Sequence, residues 1–110
     1  MAAPFALAQY ANFDVEIDDT SRTLTPRGEV DALTAPILFD AAKAMMAAEV
    51  GDVTVDLARV TFASSALVNG LISMRTELGR QGAGLWLVNE PSCVLRVFRA
   101  SGFSSRPPSL

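Results

Sequence analysis

Residues 53–103 read VTVDLARVTFASSALVNGLISMRTELGRQGAGLWLVNEPSCVLRVFRASGF, and the order of patterns within them decides the fold. Val53, Val55 and Leu57 alternate with Thr54 and Asp56, the period-two pattern of a strand over about 53–57. After a brief connector the period changes. Val68, Leu71, Ile72, Met74 and Leu78 lie along one broad side of a helix over about 65–80. Gly82 and Gly84 supply a turn, and Leu85-Trp86-Leu87-Val88 is a continuous apolar run of the kind found in buried parallel strands. Pro91 then opens a helix over about 92–100, with Val94, Leu95, Val97 and Phe98 as its apolar positions. Strand, helix, strand, helix in succession implies parallel strands joined by crossover helices. At the junction of the first strand and its helix stand Ser64 and Ser65.

Upstream, Phe13-Asp14-Val15-Glu16-Ile17 alternates apolar with acidic residues, a half-buried strand. Asp18-Asp19-Thr20-Ser21 supplies turn chemistry. Thr23 to Val30 reads as the second arm of an antiparallel hairpin, with Pro26 placing it at an edge there, or marking a bulge. Thr34 reads as the N-cap of a helix over about 36–49, with Pro36 in its first turn and Gly51 closing it. The expected architecture is therefore a mixed β-sheet in which an N-terminal hairpin is followed by αβαβα.

Composition bounds what such a domain can do. A chain of 110 residues is one domain, with a core about 13–103 and a frayed tail at 104–110, and half of its residues are hydrophobic. That size buries roughly 65% of the unfolded surface, enough for a single core. The net charge is −3 and the nine Lys and Arg are scattered, which gives no electrostatic footprint for nucleic acid. Met1 to Phe13 is apolar but lacks a basic leader, so it reads as mature sequence. No apolar run approaches the ~18 residues of a membrane span, so no membrane insertion and a cytoplasmic setting are expected. One cysteine and no histidine argue against a disulfide, a conventional zinc site and the commonest general base. No nucleophile–base pair or phosphate-binding Gly-rich loop stands in for them, so neither an enzyme nor a cofactor is expected.

The two serines carry the chemistry that remains. A hydroxyl at a helix N-terminus either caps orphan backbone N–H groups or presents an oxygen where added negative charge is welcome. Ser64 suits the first use. Ser65, one residue into the helix, suits the second. Asp31 ends a strand that should lie at the same end of the sheet, where it either flanks the serines or caps a turn before Thr34. Leu67 is either a core residue, in line with Leu71, Met74 and Leu78, or an exposed apolar contact. Trp86 and Phe98 stand at core-like spacing. Asp56 reads as structural, and Cys93 as a small inert residue.

Taken in order, these pieces resemble the STAS family, the sulfate-transporter and anti-sigma-antagonist domain. Its usual pattern is a strand ending Asp-Leu, then Phe-x-Asp-Ser-Ser/Ala-Gly-Leu opening a helix, a Gly-Gly-like turn, a short strand, Pro, a helix and a closing Gly. The matching pieces here are Asp56-Leu57, Phe62-Ala63-Ser64-Ser65-Ala66-Leu67-Val68, Gly82-Ala83-Gly84, Leu85 to Asn89, Pro91 and Ser101-Gly102-Phe103. Gly28-Glu29-Val30-Asp31-Ala32 matches a second signature. Two positions depart: Ser64 stands where the family has Asp, and Leu67 where it has Gly. The resemblance implies an anti-sigma factor antagonist, a protein that binds an anti-sigma factor, often a histidine-kinase-like ATPase, and is released when that partner phosphorylates it. It places the phospho-acceptor at Ser65, with Ser64 as second choice, and the partner contacts at Asp31, Ser64, Ser65, Leu67 and Val68. Other STAS-like domains are accessory subunits of ABC-type lipid transporters, and a non-phosphorylated scaffold is a third alternative.

Overall fold

The computed structural model describes residues 12–104. The apolar start and all of the expected frayed tail beyond Ser104 lie outside the described residues. The elements are β1 (Phe13–Asp18), β2 (Thr23–Val30), α1 (Ala35–Ala48), β3 (Val53–Asp56), β4 (Val60–Ala63), α2 (Ser65–Arg80), β5 (Leu85–Val88) and α3 (Ser92–Ser101). The expected hairpin, the strands at 53–57 and 85–88 and the three helices are all present. The stretch between β3 and α2, read as a brief connector, contains β4.

The hairpin forms where the sequence supplies turn chemistry. Asp18 Oδ1 accepts the N–H groups of Thr20 and Ser21 at 3.0 and 3.2 Å, an Asx turn. Arg22 closes it at φ 53°. Its guanidinium donates to the carbonyls of Asp52 (3.0 Å) and Gly51 (3.1 Å), which ties the turn to the loop entering β3. On one face of the hairpin Phe13, Leu24, Pro26 and Val30 are buried. On the other, Arg27 pairs with Asp14 at 2.8 Å and Glu16 at 3.6 Å, exposed contacts that add little stability.

β2 is an interior strand. It pairs antiparallel with β1, and on its far side it serves two parallel partners in series. Thr23 and Leu24 pair with Thr54 and Val55 of β3. Gly28, Glu29 and Val30 pair with Val60, Phe62 and Ala63 of β4, with a register shift after Gly28. β3 in turn pairs with β5 from Val53↔Leu85 to Asp56↔Val88. This corrects the edge position expected from Pro26. The Gly28 N–H donates across to the Arg59 carbonyl at 3.0 Å, and backbone groups two residues apart point the same way. The nitrogen of Pro26 therefore faces the interval where β3 has ended and β4 has not begun, and its missing N–H costs no ladder bond.

α1 and α2 cover the sheet with Leu38, Ala42, Met45, Leu71, Met74 and Leu78, all buried. They approach closely at Gly70, where any Cβ would overlap the ring of Phe39. Thr34 does occupy the N-cap of α1, but its side chain makes no capping bond; the hydroxyl donates back to the Glu29 carbonyl at 2.6 Å. Gly51 does not terminate α1 through a left-handed turn; the chain leaves through Glu49 in an extended conformation. α3 does end that way, at Gly102 (φ 70°), and the Phe103 N–H reaches back to the Phe98 carbonyl at 3.0 Å. Phe98 is buried as its spacing suggests, whereas Trp86 is 41% exposed and donates its indole N–H to Asp52 Oδ2 at 3.0 Å.

Candidate functional site at the carboxyl ends of β2 and β4

Parallel pairing of β2 with β4 brings the two sequence-predicted segments together. Val30 and Ala63 are register partners at the carboxyl ends of their strands. The next residue of each strand is a site candidate: Asp31 after β2, Ser64 after β4. The Ser64 N–H donates to the Val30 carbonyl at 3.0 Å, so the ladder continues into the site.

Ser64 is the N-cap of α2. It is extended (φ −108°, ψ 179°), its Oγ accepts the Ala66 N–H at 3.2 Å, and its carbonyl accepts the Leu67 N–H at 3.1 Å. One of the orphan donors of the helix start is thus satisfied by a neutral hydroxyl. Ser65 is the first residue of the helix and is exposed. Its hydroxyl stands where the helix dipole favours negative charge, on backbone held by a cap and a sheet rung.

Asp31 is held by its own turn. One carboxylate oxygen, Oδ1, accepts the Leu33 N–H at 2.9 Å, the Thr34 N–H at 3.1 Å and the Thr34 hydroxyl at 3.2 Å. The Thr34 hydroxyl also accepts the Asp31 N–H at 2.9 Å. Hydrogen bonds from Thr34 and Leu33 favour the ionised form and hold the Asp31 carboxyl below its ordinary range. Both readings of this residue hold at once: it caps the turn before α1, and it lies at the strand end beside the serines.

Leu67 keeps its core reading, and the partner-contact reading of Leu67 and Val68 is corrected. Leu67 is 0% and Val68 3% exposed, because the third and fourth residues of α2 face the sheet. Neither offers surface to a partner. Leu67, in the position where the family has Gly, fills core volume instead. Asp56 Oδ1 accepts the Ala58 N–H and the Asn89 side-chain amide, both at 3.1 Å, and so fixes the loops beyond β3 and β5. Cys93, the second residue of α3, is half-buried, and its thiol donates to the Val60 carbonyl at 3.6 Å.

Two exposed apolar side chains adjoin the site that the sequence reading did not single out as contacts. Leu33 is 65% exposed on the Asp31 turn, and Phe62 is 50% exposed on β4. The signal for Leu33 was available in Asp31-Ala32-Leu33-Thr34, a turn sequence between strand and helix, since connecting segments run over the surface. Phe62 carried no such signal, because Val60-Thr61-Phe62-Ala63 lacks the sustained alternation that marks a strand.

A family sequence profile described as "Mlab, STAS domain" matches residues 13–106. Among solved structures, an anti-sigma factor antagonist from Mycobacterium paratuberculosis is similar with a TM-score of 0.72 at 24% identity, over 82% of this chain and 78% of that one. The anti-sigma factor antagonist SpoIIAA in its unphosphorylated form is similar with a TM-score of 0.65 at 23% identity, over 82% and 80% of the respective chains. At these identities the likeness establishes the fold. No curated protein sequence matches the chain.

Proposed function

The chain belongs to the STAS domain family, and on that premise we propose that it is an anti-sigma factor antagonist, a protein-binding regulator of the cytoplasm that acts by occupying an anti-sigma factor. The observation that carries this reading is the exposed Ser65 hydroxyl on the capped first turn of α2, beside the Asp31 strand end. No helix among the described residues is long and apolar enough to cross a membrane, which accords with a protein that meets its partner in solution.

In the proposed cycle the partner is a histidine-kinase-like ATPase that brings its own ATP. The unmodified chain binds it, and the sigma factor is released. The γ-phosphoryl group then passes from ATP to Ser65 Oγ. The new O–P bond forms as the bond to the β-phosphate oxygen breaks, ADP leaves with that electron pair, and the hydroxyl proton passes to a base of the partner. Ser64 stands where the family has Asp, so this chain offers no carboxylate adjacent in sequence to take that proton. Phosphoserine carries about −1.5 to −2 charges, which the helix start accommodates and an apolar or acidic interface does not. The complex then dissociates.

Incubation of the full chain with ATP and the purified kinase-like anti-sigma factor of its host, followed by phosphosite mass spectrometry, tests the cycle. Phosphate on Ser65 supports it. Phosphate on Ser64 alone moves the switch by one residue. Tight binding without phosphate on either serine leaves a constitutive scaffold.

A second reading, an accessory subunit docked on the ATPase of an ABC-type lipid transporter, draws support from the same two departures. A subunit without a switch needs neither the Asp replaced by Ser64 nor the Gly replaced by buried Leu67. Affinity capture from the native host separates the readings by which class of ATPase is recovered.

A further inference from the structure

Burial of Leu67 and Val68 leaves the proposed binding surface without the apolar contacts expected of it, and the structure supplies two others. Leu33 and Phe62 belong to different segments that meet at one end of the sheet. Phe62 is the register partner of Glu29, and both are exposed, on the opposite face from the buried Val30 one step along. Leu33 follows Val30 by three residues, and its backbone N–H is fixed by Asp31 Oδ1 at 2.9 Å. Ser65 follows Phe62 by three residues across the β4–α2 junction. The exposed hydroxyl is thus bracketed in sequence and topology by two large apolar side chains that are 65% and 50% exposed.

Exposed apolar residues scattered singly are ordinary, but two at one strand-end junction, each on restrained backbone, are a recognition surface of low ordering cost. The charges around them have one sign. Glu29 and Asp31 lie beside Phe62 and Leu33, and neither has an ion-pair partner among the described residues. Arg59, the nearest cation in sequence to Phe62, lies beyond the opposite end of β4, where its carbonyl holds Gly28.

Resting on the antagonist reading, we propose that Leu33 and Phe62 are the apolar anchors of the partner interface, received by an apolar depression in the anti-sigma factor rimmed by basic side chains that meet Glu29 and Asp31. Anchors of this kind dominate interface energies when water is excluded around them. The arrangement also explains how one phosphate ends binding. A dianion at Ser65 stands between two side chains that must be desolvated together, next to two carboxylates that already occupy the partner's cations.

The test titrates the host's purified histidine-kinase-like anti-sigma factors, one at a time, against full-length wild type, Leu33→Ser, Phe62→Ser, Glu29→Lys and the control Val50→Ser. Val50 is 66% exposed in the loop before β3, remote from the site. All five should remain cooperatively folded in urea, with a lowered midpoint expected only for Phe62→Ser, whose ring is half-covered, so affinities are compared where every variant is fully folded. The expected result is a loss of tenfold or more in affinity for Leu33→Ser and Phe62→Ser, at least threefold for Glu29→Lys, and none for Val50→Ser. Wild-type binding with unchanged affinity in both Leu33→Ser and Phe62→Ser overturns the anchors and leaves the antagonist reading standing. Unchanged affinity in Glu29→Lys alone overturns the basic rim. Failure of wild type itself to bind any of these partners overturns both the anchors and the reading beneath them.

Discussion

The Ser64 N–H donates to the Val30 carbonyl at 3.0 Å while the Ser64 hydroxyl accepts the Ala66 N–H at 3.2 Å. One residue therefore ends a sheet ladder with its backbone and starts a helix with its side chain. The position of Ser65 is fixed by both at once, which is why a small hydroxyl at this junction can be presented reproducibly to a partner.

The cap is separable from the proposed switch. Ser64→Ala should destabilise the domain by about 1 kcal/mol, the ordinary worth of a lost serine cap. Ser64→Asp should match or slightly exceed wild type, because Asp caps as well and its charge suits the helix dipole. Urea denaturation of the three proteins measures this; equal midpoints for wild type and Ser64→Ala would remove the capping role.

Ser65 should behave in the opposite way. Its side chain is exposed and the helix start favours anions, so Ser65→Ala and Ser65→Glu should both lie within about 0.5 kcal/mol of wild type in stability. In partner binding they should part. Ser65→Ala should bind as the unmodified protein, and Ser65→Glu should lose about 1 kcal/mol or more, the scale of a mismatched interfacial charge. Calorimetric titration against the proposed kinase-like partner distinguishes the two, and equal affinities would argue against Ser65 lying in the interface.

Restoring the family's glycine at position 67 should not restore a family property; it should empty the core. Leu67 is 0% exposed. Truncating a buried Leu to Ala costs about 2–5 kcal/mol, and Gly in a helix adds about 1 kcal/mol. Leu67→Gly should thus lose about 3–6 kcal/mol, a large part of the about 5–15 kcal/mol that holds a typical domain. A urea midpoint close to wild type would show that the helix start can collapse onto the gap.

Asp52 gives a pH signature away from the site. It accepts the Gly84 N–H at 2.8 Å and the Trp86 indole N–H at 3.0 Å, and these bonds hold its carboxyl below the ordinary range, with Arg22 adding a smaller attraction. A depressed folded pKa contributes stability that is fully present above the unfolded value of about 3.9 and is lost as pH falls through the folded value. Asp52→Asn should therefore be less stable than wild type at pH 7, and the gap should narrow below about pH 4. Trp86 fluorescence should report the same titration in wild type and not in the variant. A gap that stays constant with pH would mean that the Asp52 carboxylate contributes nothing through its charge.

Most of the fold was legible because it is written in period. The hairpin, α2, α3 and the strands β3 and β5 follow from alternation or from helical spacing. β4 was not legible, since in Val60-Thr61-Phe62-Ala63 only Val60 is fully buried and the chain pairs with β2 alone. Pro26 misled for the same reason: a strand with two partners in series has an interval that no sequence rule marks. In the site, Ser64, Ser65 and Asp31 were legible from chain order and turn chemistry. The burial of Leu67 and Val68 was legible in their helical spacing with Leu71, Met74 and Leu78; spacing left open only whether the first turn of α2 also offers Leu67 to a partner, which its burial rules out. Trp86 departed from its core-like spacing by leaning outward to Asp52.

The interval at Pro26 has a dynamic consequence. β2 is stitched to β3 at Thr23 and Leu24 and to β4 from Gly28 onward, with no rung between on that side. Cooperative opening propagates along contiguous rungs, so the two stitches are free to breathe independently. Amide hydrogens of the β4 stitch, Ser64 among them, should exchange with solvent deuterium by a local route, while those shared by β3 and β5 wait for global unfolding. Docking of a partner would then be visible as slowed exchange confined to the β4 stitch, a footprint that maps the contact without any substitution.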